Sequence, residues 1–303
     1  MDGINEWGLE IVRAIQAALS PALDGVMSGI TFLGEEEFLL LFMPLLLWCV
    51  DYGLGVRLGC LFMMASFTNG GLKSLFGQPR PYALDATVQL KETDYVGADA
   101  FGIPSGHSMS GVLVWGFVAS AIRRTWVWVG AVVLAILIGF SRVYLGLHFP
   151  TDVLAGWAVG AVFLGGYLMV GQSVVSLLKR LSVWARIGIG GGTGLLLAVL
   201  NPHEGFGSAA AVLIGLGVGV PLALQFAPTR ADGLVWKSAV RYIVGMVPLL
   251  ALYLGLSALF PGKGEPLYVE LRIVRYALLG LWASLGAPWL FLSVGLATRG
   301  EAG

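Results

Sequence analysis

Nine long apolar stretches, separated by short polar ones, constrain this chain more than any other feature. A helix needs about 20 mostly apolar residues to span a bilayer, and candidate stretches lie at 36–52, 56–76, 107–123, 126–146, 151–172, 186–201, 207–227, 239–260 and 275–297. Only 12% of the residues are charged, against about 25% in a soluble domain. The sequence therefore predicts an all-α fold, a polytopic bundle of membrane helices.

The first 30 residues differ from the rest of the chain. Apolar residues recur there at helical spacing, on one side of a helix: Ile4, Trp7, Leu9, Ile11, Ile15 and Leu19. This pattern predicts an amphipathic helix that lies on the bilayer surface. Acidic residues outnumber the single cation Arg13, which is the wrong charge for a cleavable signal peptide.

The positive charges predict an orientation for the bundle. With nine spans, one side collects Arg57, Arg123, Arg124, Lys179, Arg180, Arg186, Arg230, Lys237, Arg241 and Arg299. Lys and Arg concentrate on the cytoplasmic side of membrane proteins. We therefore expect an integral membrane protein of an inner or plasma membrane, with its opposite face outside the cytoplasm.

Composition also excludes several partners and cofactors. The formal net charge is zero, so nothing indicates nucleic-acid binding through bulk charge. Cys49 and Cys60 lie in apolar surroundings and form neither a disulfide framework nor a thiolate metal site. We expect no metal and no other cofactor, and no motif indicates an oligomeric state.

Three cations lie at the ends of apolar stretches on the outer face. Lys73 and Arg80 flank the end of the second stretch, and Arg142 lies at the end of the fourth. A single such cation is commonly an interfacial anchor. Three together suit a phosphate, because the planar guanidinium offers paired donors and the ammonium adds a compact charge.

The sequence Pro104-Ser105-Gly106-His107 opens the third stretch. Ser105 is a typical N-cap residue, and the free N–H groups of a helix start favour an anion. Gly106 lacks a side chain that would keep a phosphate from the backbone. These features predict that Ser105 and Gly106 contact a phosphate and that His107 lies beside it.

His148 and Asp152 are four residues apart, with Pro150 between them. Proline is tolerated in a first helical turn, so the fifth span is predicted to begin near Pro150. Asp152 is either a capping carboxylate or the partner that holds one ring nitrogen of His148 as N–H. The second arrangement leaves the other nitrogen free to attack phosphorus.

Together these three motifs resemble the signature of the type 2 phosphatidic acid phosphatase (PAP2) superfamily. They read K-x6-R-P from Lys73, P-S-G-H from Pro104 and S-R-x5-H-x3-D from Ser141. The resemblance covers about residues 30–175. It implies a six-helix core, a metal-independent phosphatase, a phosphohistidine on His148 and an acid–base role for His107.

The resemblance also implies a division of the chain. Residues 1–30 form the interfacial segment, residues 31–180 the PAP2-like catalytic core, and residues 181–303 extra transmembrane helices of unassigned role. Within the core, the acidic run Glu35, Glu36 and Glu37 adjoins the motif face and is a possible accessory site. A third histidine, His203, matches no motif and is interpreted as a loop residue.

Three functions remain open at this point. The leading one is hydrolysis of a membrane lipid phosphate or diphosphate, such as a polyprenyl diphosphate or a phosphatidate-like lipid. A lipid phosphotransferase would use the same residues with an acceptor other than water. A transporter or flippase without turnover is disfavoured, because transporters place charges near the midplane on broken helices and often contain inverted repeats.

Overall fold

A computed structural model describes residues 2–92, 100–200, 206–231 and 235–300, which are largely helical. Its helices are α1 (Asp2–Leu19), α2 (Asp24–Phe32), α3 (Glu36–Leu45), α4 (Tyr52–Phe76), α5 (Pro81–Leu84), α6 (Gly106–Ile122), α7 (Thr125–Tyr144), α8 (Pro150–Lys179), α9 (Val183–Leu200), α10 (Phe206–Phe226), α11 (Val235–Leu259), α12 (Tyr268–Leu281) and α13 (Ala287–Ser293). Two short strands, β1 (Thr229–Arg230) and β2 (Thr298–Arg299), pair antiparallel. The predicted all-α membrane bundle is confirmed.

Within the described residues, six helical segments are long and apolar enough to cross a membrane. They are Thr125–Tyr144, Pro150–Lys179, Val183–Leu200, Gly207–Phe226, Val235–Leu259 and Tyr268–Ser293. The other three predicted spans are also helical but fall outside this set. Helix α6 has 17 residues, α4 carries two cations, Arg57 and Lys73, and the stretch after α3 becomes a π-helical turn at Leu46–Val50. That these three cross the bilayer stays a prediction.

The chain divides into two compact units. The first contains residues 1–39 and 68–169, and the second contains residues 40–67 and 170–303. All three sequence motifs fall in the first unit. The boundaries predicted at residues 30 and 180 stay predictions.

Helix α1 packs on the first unit through one face. Leu9 and Val12 are buried against Val88, Val143 and Phe149, while Ile4 and Trp7 at the start of the helix are exposed. Nε2 of Gln16 donates hydrogen bonds to the carbonyl oxygens of Val88 and Tyr144. The predicted amphipathic helix is therefore present, but part of its apolar face covers protein.

A tight turn joins α7 to α8 and carries His148. Gly146 lies in the left-handed region at φ +71°, and a Cβ built on it would lie 1.9 Å from the Val88 carbonyl oxygen. Only glycine meets both conditions without strain. Helix α8 then begins at Pro150, as predicted, since a proline in the first turn loses no helical hydrogen bond.

Helices α6 and α8 approach closely at two glycines of α8. A Cβ on Gly156 would lie 2.3 Å from the Ser105 carbonyl oxygen, and one on Gly160 would lie 2.7 Å from that of Met109. The backbones therefore meet without intervening side chains. This contact fixes the start of α6 against the start of α8, where two of the motifs lie.

The second unit has an apolar core around Trp48, Met246, Leu249 and Phe291. Arg241 lies within this unit at 1% exposure and donates to the backbone oxygens of Trp48 and Leu296. The sequence placed Arg241 on the cytoplasmic side of the bundle, and that assignment stays a prediction. Its guanidinium stabilises backbone carbonyls inside the unit.

Candidate active site

The first unit brings together cationic and catalytic candidates that are scattered along the sequence. The buried members are Lys73, Arg80, Ser105, Arg142, His148 and Asp152. His107 and Gly106 are partly buried at the start of α6. Buried charges are costly unless they meet partners or a task, so this concentration marks the candidate site.

His148 and Asp152 form a buried hydrogen-bonded pair. Nδ1 of His148 lies 3.1 Å from Oδ2 of Asp152. The same carboxylate oxygen accepts a hydrogen bond from the backbone N–H of Phe149 at 3.0 Å. Asp152 is held in the first turn of α8, where the helix dipole favours a negative charge. The carboxylate is thus oriented by the backbone before it contacts the imidazole.

The other ring nitrogen of His148 faces Arg80. Nη1 of Arg80 lies 3.0 Å from Nε2 of His148 and also donates to the Leu147 carbonyl oxygen at 3.0 Å. A guanidinium has donors and no acceptor, so Nε2 must be the acceptor and carries a lone pair. Nδ1 then carries the proton and donates it to Asp152.

The surroundings keep this imidazole neutral. Burial, followed by the positive charges of Arg80, Arg142 and Lys73, holds the pKa of His148 well below its ordinary value of 6.5. Desolvation disfavours the charged imidazolium, and nearby cations repel it. At neutral pH His148 is therefore a neutral base with its lone pair on Nε2.

The connection between α4 and α6 contacts this site. Nζ of Lys73 donates to the Phe101 carbonyl oxygen at 2.9 Å. A Cβ on Gly102 would lie 2.6 Å from Oδ2 of Asp152, so a larger residue there would displace the carboxylate. This connection, residues 78–103, therefore contacts the site at Phe101 and Gly102. Residues 93–99 lie outside the described residues.

Arg142 and His107 meet the segment around the end of α2. Nη1 of Arg142 donates to the hydroxyl oxygen of Thr31 at 2.9 Å. A Cβ on Gly34 would lie 3.2 Å from Cδ2 of His107. The Nε2 atom of His107 is buried without a protein hydrogen-bond partner. An imidazole nitrogen in that state is available to a bound molecule.

Ser105 caps α6, as predicted. Its Oγ accepts from the backbone N–H of Ser108 at 3.3 Å and from the Ser108 hydroxyl at 3.0 Å. Its own backbone N–H donates to the Asp152 carbonyl oxygen at 2.9 Å. These contacts join the second motif to the third. A direct contact between Ser105 or Gly106 and a phosphate stays a prediction.

Within the acidic run, Glu35 contacts the connection between α4 and α6. Glu35 forms an ion pair with Lys91, while Glu36 and Glu37 are exposed. An accessory role for any of the three stays a prediction. His203, the predicted loop histidine, lies outside the described residues.

Two residues of the site were missed by the sequence analysis. Thr31 holds Arg142 across 111 positions, and no local pattern predicts such a contact. Asn69 is buried at 4% exposure and precedes Lys73 by four positions, so the two share a helix face. Helical spacing from Lys73 was a usable signal for Asn69.

Family comparisons agree with these motifs. A family model described as the PAP2 superfamily matches residues 54–174. A second, described as the transmembrane extension of PAP2 superfamily phosphatases, matches residues 207–299. Phosphatidylglycerophosphatase B of Bacillus subtilis is 35% identical over 165 residues, which cover 50% of this chain and 76% of that protein. This chain belongs to the PAP2 superfamily.

Other relatives are also named as phosphatases. Undecaprenyl-diphosphatase of Sulfolobus acidocaldarius is 29% identical, over 51% of this chain and 74% of that protein. Lipid phosphate phosphatase delta of Arabidopsis thaliana is 28% identical over 55% of this chain, which spans only 43% of the plant protein. The predicted enzyme class, a PAP2-type phosphatase, is therefore confirmed at the level of the family.

A solved structure is similar as well. It is described as the first transmembrane PAP2-type phosphatidylglycerolphosphate phosphatase, from Bacillus subtilis, and it is 26% identical. The match has a TM-score of 0.46 and covers 57% of this chain and 89% of that one.

Proposed function

We propose that this protein is an integral-membrane phosphatase that hydrolyses a lipid phosphate or diphosphate through a phosphohistidine on His148. One observation supports this most strongly. Nε2 of His148 accepts from Arg80, while Nδ1 faces the carboxylate of Asp152. The nucleophilic lone pair is therefore directed toward a cation that suits phosphate, and the opposite nitrogen is fixed as the proton carrier.

The reaction has two chemical steps. In the first, Nε2 of His148 forms a bond to phosphorus while the bond from phosphorus to the lipid oxygen breaks. His107 donates a proton to that leaving oxygen. In the second, a water molecule gives a proton to His107 and its oxygen attacks phosphorus. The N–P bond then breaks, and inorganic phosphate and free His148 are released.

The charge of the transferred group is balanced by Lys73, Arg80 and Arg142. Fixed cations act most strongly where charge develops in the transition state. We propose that they replace a metal ion in this role. Within the described residues, no group of three or more His, Cys, Asp or Glu side chains could hold a metal.

The names of the relatives and the membrane helices support a lipid substrate. The bacterial and archaeal relatives are named for phosphatidylglycerophosphate and undecaprenyl diphosphate, and the helices place this site in a protein embedded in lipid. We infer a membrane lipid that carries a terminal phosphoryl group. The orientation that the positive charges favour places its headgroup outside the cytoplasm.

A phosphotransferase remains the second candidate. The same phosphohistidine would pass its phosphoryl group to a lipid or sugar hydroxyl instead of water. A transporter without turnover is a third, weaker candidate.

Phosphate release separates these functions. Purified protein would be incubated with phosphatidate, phosphatidylglycerophosphate and undecaprenyl diphosphate, with and without a strong chelator. Hydrolysis predicts inorganic phosphate in at least one reaction, unaffected by the chelator and inhibited by vanadate. Phosphate that appears only on an added hydroxyl acceptor would indicate a transferase. No turnover of any substrate would contradict the proposal.

A further inference from the structure

We infer that Asn69 is a substrate-binding residue whose side-chain amide donates to an oxygen of the phosphoryl group. This inference rests on the proposed phosphatase function and extends its binding site beyond the three motifs. Asn69 lies on α4 at 4% exposure. Its Nδ2 is buried without a protein hydrogen-bond partner.

The unsatisfied amide requires an explanation. Nearly all buried polar atoms in folded proteins are hydrogen-bonded, because an unpaired donor loses its water without compensation. An apolar residue of similar size would avoid that cost at this position. A donor is useful there if a ligand supplies the missing acceptor.

The position of the amide group indicates which ligand. Oδ1 of Asn69 lies 3.7 Å from the position that a Cβ on Gly106 would occupy, so the amide group lies against the N-terminus of α6. The first N–H groups of a helix have no intrahelical acceptor and attract anions. The absence of a side chain at Gly106 leaves that space open.

The position of Asn69 on its own helix supports the same ligand. Lys73 follows one turn later on the same face of α4, since residues four apart lie above one another. Lys73 is itself buried at 3% exposure. One helix face thus carries the amide of Asn69 beside Gly106 and the cation of Lys73, which donates to the Phe101 carbonyl oxygen. A phosphoryl group with several acceptor oxygens matches this combination.

Two substitutions test the inference. Asn69→Asp keeps the shape of the side chain but replaces the donor with an acceptor that repels phosphate. Asn69→Leu removes hydrogen bonding at similar volume. Ser74→Ala, at an exposed position on the same helix, is the matched control. Each variant is assayed for the inhibition constant of vanadate, the KM for the lipid substrate and the thermal midpoint in detergent.

Loss of a hydrogen bond to a charged ligand predicts a rise of roughly 10- to 100-fold in the vanadate inhibition constant of both Asn69 variants. Their thermal midpoints should match that of the wild type or exceed it, and Ser74→Ala should bind normally. Wild-type vanadate affinity in folded Asn69→Asp overturns the inference, as does a lower midpoint with unchanged affinity. If the wild type itself neither releases phosphate nor binds vanadate, the proposed function fails instead.

Discussion

Replacing Asp152 with asparagine tests how much the negative charge of its carboxylate contributes to the reactivity of His148. Nδ1 of His148 and Oδ2 of Asp152 are 3.1 Å apart, and the Phe149 N–H at 3.0 Å requires an oxygen at the same place. The amide oxygen of Asp152→Asn should therefore occupy that position and preserve the imidazole tautomer. The variant should retain its fold and lose only the negative charge.

The expected loss follows from Coulomb's law. As the N–P bond forms, the imidazole gains positive charge beside the carboxylate. Two unit charges about 4 Å apart at an effective dielectric constant of about 20 attract by about 4 kcal/mol. A loss of that size slows phosphoryl transfer by about a thousandfold. Asp152→Ala also leaves the Phe149 N–H without its acceptor, which adds about 1–3 kcal/mol of destabilisation.

Single-turnover measurements test this prediction. The rate of phosphoenzyme formation would be followed in wild type, Asp152→Asn and Asp152→Ala, together with the thermal midpoint of each. We expect slow chemistry with a normal midpoint in the asparagine variant, and slow chemistry with a lowered midpoint in the alanine variant. Phosphoenzyme formation in Asp152→Asn within about tenfold of wild type, less than ~1.4 kcal/mol, would refute the role given to the charge.

Three further predictions concern pH, the acidic run and orientation. Because the pKa of His148 lies below 6.5, the imidazole stays unprotonated as the pH falls through that value. The acid limb of kcat/KM should therefore lie below pH 6.5, and a limb at or above it would contradict the assignment. Glu35→Gln breaks a partly exposed ion pair and should cost about two- to fivefold in turnover, or ~0.5–1 kcal/mol. The exposed Glu37→Gln should be neutral, and two neutral variants would mean a solvated helix start. In a background without other cysteines, an impermeant thiol reagent on intact cells should label a cysteine at Tyr95 but not one at Arg124. Labelling at position 124 but not at position 95 would show that the predicted orientation is reversed.

The sequence predicted the all-α bundle and the helix ends that carry the motifs. Each motif lies where a helix starts or ends, and capping rules locate such ends from local residues. Ser105 and Pro150 therefore predicted the starts of α6 and α8 correctly. The burial of Arg241 was not predicted, because a count of charges cannot distinguish a surface arginine from one that donates to buried carbonyl oxygens.

The features that the sequence did not predict are contacts between segments far apart in the chain. The hydroxyl of Thr31 that holds Arg142, and the Phe149 N–H that orients Asp152, follow from packing rather than from local spacing. The packing of α1 against Phe149 is of the same kind. Its apolar face fits either a lipid surface or a protein surface, since both offer the same apolar environment. Only the folded chain distinguishes them.

The most direct test of the phosphohistidine mechanism is the identity of the phosphorylated residue. Wild-type protein would be mixed with a lipid substrate labelled in its phosphoryl group, quenched within one turnover and analysed by peptide mapping. We predict an acid-labile, base-stable label on His148 that is absent from His148→Ala, which should also release no phosphate. Label that persists in His148→Ala, or that maps to another residue in the wild type, would contradict the mechanism.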